Sequence, residues 1–306
     1  MFRLYDKNGP IDGIGEATAV TVGVFDGVHR GHQHLINQLQ TSHFSPLVVT
    51  LTSHPSFVLG RRDSEYWLDN PDEHLRLLFE AGAKYVAVLP FTREVAQLSA
   101  CEMTRLLYDK TNMRSLLLGY DSRFGSKQND DFEHLPQLAD ELGFTLQRGE
   151  PFLVDDAPIS SSRIRESLLQ GAVEDTASLL GRPYSITGAV QHGRGVGHTL
   201  GFPTANIDLS HTRKMLPKDG VYAVHLSTLH SSLSAHIGMA NLGTIPTFDV
   251  NKPSLEVHLL DFDGDIYGKT VEVQFIHRMR DIVRFDSAEA LQQQLKTDLE
   301  QVRRWS

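Results

Sequence analysis

The chain of 306 residues is long enough for two domains, and its composition, 40% hydrophobic and 22% charged, is typical of ordinary soluble globular proteins. A net charge of -9 at pH 7 argues against broad binding to nucleic acid, which requires a basic surface. The single cysteine, Cys101, excludes a disulfide within the chain and fits a reducing cytoplasm, where we expect the protein to reside. The amino terminus lacks the apolar core of a signal peptide, and no apolar run is long enough to cross a bilayer, so we expect no membrane partner.

The first half of the chain alternates short apolar runs with helical patterns. The predicted elements are a strand from Val20, a helix to Ile36, strands over 47–51, 85–89 and 115–118, and helices over 71–81, 99–108 and 131–142. This alternation predicts an α/β domain with a parallel sheet covered by helices on both faces. Ligands in such folds bind beyond the carboxyl ends of the strands. Two loops stand there, the Gly-rich turn after the first strand and Gly119–Gly125 after the fourth.

The turn after the first strand has the composition of a phosphate site. Gly23, Gly27 and Gly31 let the backbone approach a ligand or adopt a positive φ angle. The following helix presents unpaired N–H groups and the positive end of its dipole. His29 and His32 bracket Gly31 and can donate hydrogen bonds to phosphate oxygens. The alternative interpretation is an ordinary turn that carries surface histidines.

The full string over 23–33, Gly-Val-Phe-Asp-Gly-Val-His-Arg-Gly-His-Gln, resembles the nucleotidyltransferase signature of the bacterial FAD synthetases. Members of that family often have Asn at the position of Val24. The resemblance implies that Gly23, Phe25, Asp26 and Gly31 bind ATP. It also implies that His29 and His32 stabilise charge on the phosphates.

The loop after the fourth strand, Gly-Tyr-Asp-Ser-Arg-Phe-Gly, holds an acid and a base between two glycines. Asp121 can accept a hydrogen bond from a base or a ribose, and Arg123 can bind phosphate. Alternatively, the loop only connects elements and Asp121 contacts Arg123. The loop resembles the Gly-x-Asp-Phe-x-Phe-Gly loop of the same family, which implies an ATP contact for Asp121. Family members continue with Arg and a Gly-Asp pair, whereas residues 126–132 here are Ser-Lys-Gln-Asn-Asp-Asp-Phe.

A third segment, Ile-Ser-Ser-Ser-Arg-Ile-Arg over 159–165, precedes a run with helical spacing. Serines at this place are candidate N-caps. Arg163 and Arg165 at a helix start oppose the helix dipole unless an anion is bound, although solvated arginines on capped helices are common. The segment resembles the family motif Ile-Ser-Ser-Thr-x-Ile-Arg, with Ser162 in place of Thr. The resemblance implies that Ser161, Ser162 and Arg165 close over the ATP phosphates, with Arg165 holding the leaving pyrophosphate.

The pattern changes after Gly181, where Gly-Arg-Pro ends a helical stretch, and we predict domains of residues 1–181 and 182–306. The second domain has strand-length segments at 185–191, 221–226, 236–242, 254–261 and 270–275, separated by turns. They predict an antiparallel sheet or small barrel. The stretch 287–304 predicts a closing amphipathic helix.

A glycine loop follows the first strand of this second half. Gly193, Gly195 and Gly197 can wrap phosphates through their backbone N–H groups. Thr204 and Asn206 offer hard oxygen ligands of the kind that Mg²⁺ prefers.

The whole string over 193–206 resembles the bacterial riboflavin kinase motif that ends in Pro-Thr-Ala-Asn. The resemblance implies that the glycines bind ATP and that Thr204 and Asn206 bind Mg²⁺. The family usually has Arg at the position of His198.

The segment Leu-Glu-Val-His-Leu-Leu over 255–260 alternates apolar and polar residues. In a strand, Glu256 and His258 share one face, and Leu255, Val257 and Leu259 share the other. A carboxylate on a functional face can take the proton of a primary alcohol that attacks a γ-phosphate, but a surface glutamate has the same pattern. The segment resembles the riboflavin kinase strand that carries the catalytic base, which implies that role for Glu256. The family commonly has Arg in place of Ile245.

The resemblance covers nearly the whole chain. It implies a bifunctional enzyme with a Rossmann-like nucleotidyltransferase domain followed by an antiparallel β-barrel kinase domain and a closing helix. The barrel domain would phosphorylate riboflavin with ATP and Mg²⁺, and the first domain would transfer AMP from ATP to FMN. We expect a monomer or weak homo-oligomer. Two alternatives remain, an enzyme that has kept only one activity and a non-catalytic flavin-binding regulator. A regulator would need neither a base nor metal ligands.

Overall fold

The computed structural model describes residues 2–52, 66–122, 124–126, 130–193, 201–229, 235–246 and 251–305. Of the residues discussed above, Arg123, Gly195, Gly197 and His198 lie outside these ranges. The chain divides into two compact units, Met1–Ser161 and Ser162–Ser306.

The first unit contains a seven-stranded sheet in the order β2-β1-β5-β4-β3-β6-β7. Its strands are β1 (Arg3–Asp6), β2 (Gly9–Ile11), β3 (Thr18–Gly23), β4 (Ser45–Leu51), β5 (Tyr85–Leu89), β6 (Met113–Leu118) and β7 (Thr145–Arg148). Strands β5, β4, β3, β6 and β7 run parallel, and β1 and β2 form an antiparallel pair at one edge. The predicted parallel sheet is therefore confirmed. Strands β8 (Leu153–Val154) and β9 (Ala157–Pro158) form a separate short hairpin.

Among the described residues, two helices cover each face of this sheet. The helices are α1 (Arg30–Leu39), α2 (Pro71–Glu80), α3 (Ala100–Thr111) and α4 (Leu135–Leu142). Successive strand residues point to opposite faces. Val20 and Val22 therefore pack in one core with residues of α3 and α4, while Ala19 packs in the other with α1 and α2. Because both faces are buried, the inner strands β3, β4, β5 and β6 are mostly apolar, which is why the sequence predicts them, whereas the exposed edge strand β7 is not predicted.

Local signals set the helix ends. Helix α3 begins after Ser99, whose hydroxyl accepts the N–H of Glu102 while the Glu102 carboxylate accepts the N–H of Ser99, a capping box. The prediction that a helix begins at 131 is wrong for its first turn. Residues Phe132–His134 form a 3₁₀ turn, and α4 begins at Leu135. Pro136 lacks an N–H and so fits only the first turn of an α-helix.

The second unit is built on a closed antiparallel barrel in the order β10-β11-β14-β13-β12-β15. Its strands are β10 (Tyr184–Gln191), β11 (Ala205–Ile207), β12 (Gly220–Thr228), β13 (His236–Pro246), β14 (Asn251–Leu259) and β15 (Thr270–Arg280). Tyr184, Tyr222 and Phe275 are fully buried in it. The predicted barrel and closing helix, α7 (Ala288–Val302), are confirmed.

Two helices precede the barrel. Helix α5 (Ser161–Gln170) starts at the last residue of the first unit, and α6 (Val173–Leu180) ends at Gly181, whose φ of 78° is left-handed. The helix break predicted at Gly181 is present, while the assignment of a domain boundary there stays a prediction. None of the helices in the described ranges combines the length and the apolar character needed to cross a bilayer.

Candidate active sites

A cavity of about 260 Å³ opens at the carboxyl end of the parallel sheet. It is lined by the turn that follows β3, by Gly119–Ser122 after β6 and by residues 150–152 and 159–161. Strands β3 and β6 are neighbours in the sheet, so the loops that follow them meet at one edge. The predicted site residues among the lining are Gly23, Phe25, Asp26, His29, Gly31, His32, Asp121 and Ser161. Ser162 and Arg165 follow on α5 and belong to the second compact unit.

The turn after β3 has an unusual backbone. Phe25, Gly27 and Val28 have φ angles of 52°, 83° and 36°. Positive φ is rare for any residue with a Cβ and is a clear outlier for a β-branched residue such as Val28. Such conformations cost about 1–3 kcal/mol each and persist only where the surrounding structure holds them. This turn is therefore a strained element at the edge of the cavity.

The two histidines of the turn lie against each other at the start of α1. His29 is the N-cap residue, and its Nδ1 accepts the backbone N–H of His32 at 3.3 Å. The two rings stack with their centroids 3.5 Å apart. A Cβ on Gly31 would lie 3.2 Å from the His29 ring, so the absence of a side chain at Gly31 leaves space for that ring.

Burial, followed by the neighbouring His29 ring, holds the pKa of His32 well below its usual range. A neutral imidazole carries one N–H and can donate one hydrogen bond. At neutral pH His32 is therefore suited to hydrogen bonding with a phosphate oxygen rather than to pairing with it as a cation.

Asp26 and Ser161 connect different parts of the cavity wall. The Asp26 carboxylate, 2% exposed, accepts the backbone N–H of Leu68 at 2.8 Å. The Ser161 hydroxyl donates to the carbonyl oxygen of Asp26 at 3.0 Å. Asp26 therefore fixes two neighbouring segments in addition to lining the cavity.

Sequence reasoning missed two residues that shape this cavity. Arg148 donates through one guanidinium nitrogen to the carbonyl oxygens of Gly119, Tyr120 and Ser122 at 3.0–3.4 Å, and so holds the loop that carries Asp121. Phe152 forms part of the wall, with the Arg30 guanidinium 4.7 Å from its ring centroid. Neither residue belongs to a motif, and no periodicity in the sequence indicates either of them.

A second cluster of polar side chains lies on the barrel. Strands β11 and β14 pair in antiparallel register, which sets Asn206 opposite Glu256. Leu255, Val257 and Leu259 are buried and Glu256 and His258 are half-buried, as the alternating pattern predicts.

Thr204 completes this cluster. Its hydroxyl lies 3.5 Å from Oε2 of Glu256, at the long limit of a hydrogen bond. Nδ1 of His258 lies 2.8 Å from the carbonyl oxygen of Pro203 and so anchors the segment that carries Thr204. This contact was not foreseen, although His258 was placed on the correct face.

Gly193 contacts the same cluster from the end of β10. A Cβ at this position would come within 2.1 Å of the Asn206 side-chain amide, so any other residue would displace that amide. The glycine therefore permits close approach of the backbone after β10 to Asn206. Of the three predicted loop glycines, Gly193 alone falls within the described ranges.

The donor atoms on the barrel suit a hard cation. The hydroxyl of Thr204, the amide oxygen of Asn206 and the carboxylate of Glu256 are oxygen ligands of the type that Mg²⁺ takes together with substrate phosphates. Among the described residues there is no group of three or more His, Cys, Asp or Glu side chains that could hold a metal ion. The residues present fit a magnesium ion that is shared with a nucleotide better than a fully protein-bound metal.

Comparison with known proteins agrees with this division into two sites. The family model for FAD synthetase matches residues 12–163, and that for riboflavin kinase matches residues 180–306. Proteins named bifunctional riboflavin kinase/FMN adenylyltransferase from Haemophilus influenzae and Escherichia coli are each 35% identical to this chain. The Haemophilus protein aligns over 93% of this chain and 93% of its own length, and the Escherichia protein over 92% and 91%.

A relative with the same name from Pseudomonas fluorescens is 33% identical over 91% of this chain and 90% of its own length. The crystal structure of a Streptococcus pneumoniae protein described as a macrolide-efflux protein has the same fold. It gives a TM-score of 0.86 at 33% identity and covers 96% of each chain. The chain belongs to the bifunctional riboflavin kinase/FMN adenylyltransferase family, whose two transferase activities use ATP to convert riboflavin to FMN and FMN to FAD.

Proposed function

We propose that the cavity at the end of the parallel sheet is the FMN adenylyltransferase site. In this reaction an oxygen of the FMN phosphate attacks the α-phosphorus of ATP, and the bond to the departing pyrophosphate breaks. The attacking phosphate is already ionised, so no side chain has to remove a proton. Catalysis then rests on positioning and on donors that stabilise phosphate charge. The observation that carries the proposal is the stacked His29–His32 pair at the N-terminus of α1, inside the cavity.

Within this site, His29 and His32 would donate to phosphate oxygens, and Gly23, Phe25, Asp26 and Gly31 would form the surface against which ATP lies. Asp121 would accept from the nucleotide. Ser161, Ser162 and Arg165 are proposed to bind the phosphates, with Arg165 on the leaving pyrophosphate. Family resemblance supports the roles of Ser162 and Arg165, and the lining of the cavity supports the role of Ser161.

We propose that the cluster of Thr204, Asn206 and Glu256 is the riboflavin kinase site. The primary hydroxyl of the ribityl chain attacks the γ-phosphorus of ATP, the bond from that phosphorus to the bridging oxygen breaks, and ADP leaves, while Glu256 accepts the hydroxyl proton. The loop with Gly193, Gly195 and Gly197 would bind the ATP phosphates. Thr204 and Asn206 would hold Mg²⁺, which when bound neutralises phosphate charge. The register that sets Asn206 opposite Glu256 supports this arrangement.

Separation of the products by chromatography tests both assignments. Riboflavin with ATP and Mg²⁺ should yield FMN and then FAD, while FMN with ATP and Mg²⁺ tests the first site alone. Variants in one cluster should abolish one reaction and spare the other. Equal loss of both reactions from a change in either cluster would contradict the proposal of two separate sites. The same measurement shows whether the departures at 126–131, His198 and Ile245 are compatible with both activities.

The remaining expectations belong to the same proposal. We propose domains of residues 1–181 and 182–306, since α6 ends at Gly181 and the barrel begins at Tyr184. A monomer or weak homo-oligomer in the cytoplasm, without nucleic-acid or membrane partners, fits the acidic composition and the single cysteine. Sedimentation of the purified chain would test the oligomeric state.

A further inference from the structure

Three buried polar side chains form a hydrogen-bonded network that contacts the strained turn of the adenylyltransferase cavity. Asp69, His74 and Thr50 are 2%, 9% and 2% exposed, and none of them lines the cavity. The His74 ring links the other two. Its Nδ1 lies 3.0 Å from Oδ2 of Asp69, and its Nε2 lies 2.9 Å from Oγ1 of Thr50. Buried polar groups of this kind persist where their hydrogen bonds are made.

Both ends of this network bind the backbone of the turn. The Thr50 hydroxyl donates to the carbonyl oxygen of Val24 at 3.1 Å, and Oδ2 of Asp69 accepts the N–H of Gly27 at 3.0 Å. The strained residue Phe25 lies between these two points, and His29 follows directly after the turn. The two contacts therefore hold the segment that leads into the proposed phosphate donors.

The hydrogen bonds around His74 can all be made only in one protonation state. A threonine hydroxyl has one hydrogen, so Thr50 can donate to Val24 and also bond His74 only by accepting from Nε2–H. On the other side, Nδ1 faces a carboxylate oxygen of Asp69, which only accepts. The complete set of bonds therefore requires hydrogen on both ring nitrogens of His74, which makes the ring an imidazolium.

The charges around His74 agree with this count. Burial opposes protonation of His74, but the Asp69 carboxylate, with contributions from Asp26 and Glu73, outweighs it and raises the pKa of His74 above its ordinary value. The positive His74 in turn contributes to the lowered pKa of His32, after burial and His29. One buried cation thus orders the turn and favours the neutral form of a proposed phosphate donor.

We propose that Thr50, Asp69 and a doubly protonated His74 are positioning residues of the adenylyltransferase site, which hold the Val24–Gly27 turn in the conformation that orients His29 and His32. The proposal rests on the assignment of the cavity as that site. It predicts a pH dependence with a definite sign. A raised pKa means that the network is complete at low pH and is lost as pH rises through the pKa of folded His74.

The decisive variants are Thr50→Val, which removes the hydroxyl at nearly constant volume, and Thr50→Ser, which restores it. We expect Thr50→Val to lower kcat for FAD formation from FMN by about tenfold, the effect of one lost hydrogen bond in a buried network. Thr50→Ser should recover most of it. Thr104→Val is the matched control, because Thr104 is equally buried but its hydroxyl bonds only within α3, to the carbonyl oxygen of Ala100. FMN formation from riboflavin by the same samples should be unchanged, which reports that the protein is folded.

Two further measurements separate positioning from general stability. The wild-type kcat for FAD formation should fall as pH rises through the His74 transition, and His74→Gln should remove that limb. Nitrogen NMR of histidine-labelled protein, with His74→Gln to assign the signal, should show both ring nitrogens of His74 protonated below neutral pH. A neutral ring there, or equal FAD formation by Thr50→Val and Thr104→Val, would overturn the inference.

Failure of this inference can be told apart from failure of the site assignment. If His32→Ala abolishes FAD formation while Thr50→Val and His74→Gln do not affect it, the site stands and the positioning role is wrong. If His32→Ala leaves FAD formation intact, the site assignment is wrong, and the positioning role falls with it.

Discussion

The two proposed active sites are built in opposite ways. The adenylyltransferase site is a cavity at the end of a parallel sheet, with a strained turn fixed by buried hydrogen bonds. The kinase site lies on paired barrel strands, where Glu256 and Asn206 face each other across regular antiparallel register. Backbone irregularity shapes the first site, and strand alternation shapes the second.

The difference follows the chemistry of the two attacking groups. An ionised phosphate needs orientation and charge stabilisation, which donors at a helix N-terminus provide. A primary alcohol must also lose a proton, which requires a base such as Glu256. The carboxylate of Asp26 in the first cavity has a structural contact, since it accepts the backbone N–H of Leu68, and the proposed reaction there needs no base. Each of the following changes tests one side of this contrast.

The largest effect is expected for Glu256→Gln, which keeps the shape of the side chain but cannot accept a proton. FMN formation from riboflavin should fall about 1,000-fold, within the range that general-base catalysis provides. FAD formation from supplied FMN should be unchanged. Glu300→Gln, on the exposed face of α7, is the control. FMN formation at the wild-type rate in Glu256→Gln would show that another group is the base.

The converse change, His32→Ala, should lower FAD formation from FMN about 100-fold, the usual cost of removing one donor that stabilises developing charge. FMN formation should be unaffected. His43→Ala serves as the matched control, because His43 is exposed and lies beyond the end of α1. Initial rates of pyrophosphate release give the comparison directly. If both variants behave alike, His32 has no part in the reaction.

A smaller effect is expected for Gly193→Ala, since the added methyl group would displace the Asn206 amide. The KM of the kinase reaction for ATP should rise about tenfold, equivalent to 1.4 kcal/mol. Gly13→Ala is the control, because an added Cβ there has no atom within 4 Å. An unchanged KM would argue that the Gly193–Asn206 contact is not used in nucleotide binding.

The smallest effect is expected for Arg148→Gln, which removes the charged donor that holds the carbonyl oxygens of Gly119, Tyr120 and Ser122. The loop with Asp121 would be less well ordered, and the KM of the adenylyltransferase reaction for ATP should rise about fivefold, or ~1 kcal/mol. Arg114→Gln provides a control, because the Arg114 guanidinium bonds the carbonyl of its own neighbour, Met113. A change in kcat without a change in KM would place Arg148 in catalysis instead of binding.

The success of sequence-based prediction in this chain depended on how each strand is buried. The inner parallel strands are mostly apolar on both faces, and β5 over Tyr85–Leu89 was predicted to the residue. Strands β1, β2 and β7 near the sheet edges were missed because they are short and are not continuously apolar. In the barrel, β15 continues past Phe275 to Arg280 because its partner β12 keeps pairing with it through two irregularities in register.

The two sites show the same limit. Glu256 was proposed because two-residue alternation tells which side chains of a strand share a face, and Thr204 and Asn206 were proposed from the string that ends in Pro-Thr-Ala-Asn. His29 and His32 were proposed because a glycine-rich turn and the start of a helix are local features as well. Arg148 and Phe152 were missed because each contacts the cavity from a distant part of the sequence. Arg148 binds the loop that carries Asp121, and Phe152 lines the cavity wall, and neither belongs to a short motif.

By itself, the sequence determined the order of the two domains, the fold class of each, and the residues that we propose for phosphate and base chemistry. These depend on periodicity and short motifs, which are local properties of the chain. Only the tertiary structure brought Thr50 and Asp69 to the turn, across separations of 26 and 42 residues, and linked them through His74. Hydrogen bonds between residues that are distant in sequence depend on how the elements pack, and local sequence patterns do not reveal that packing.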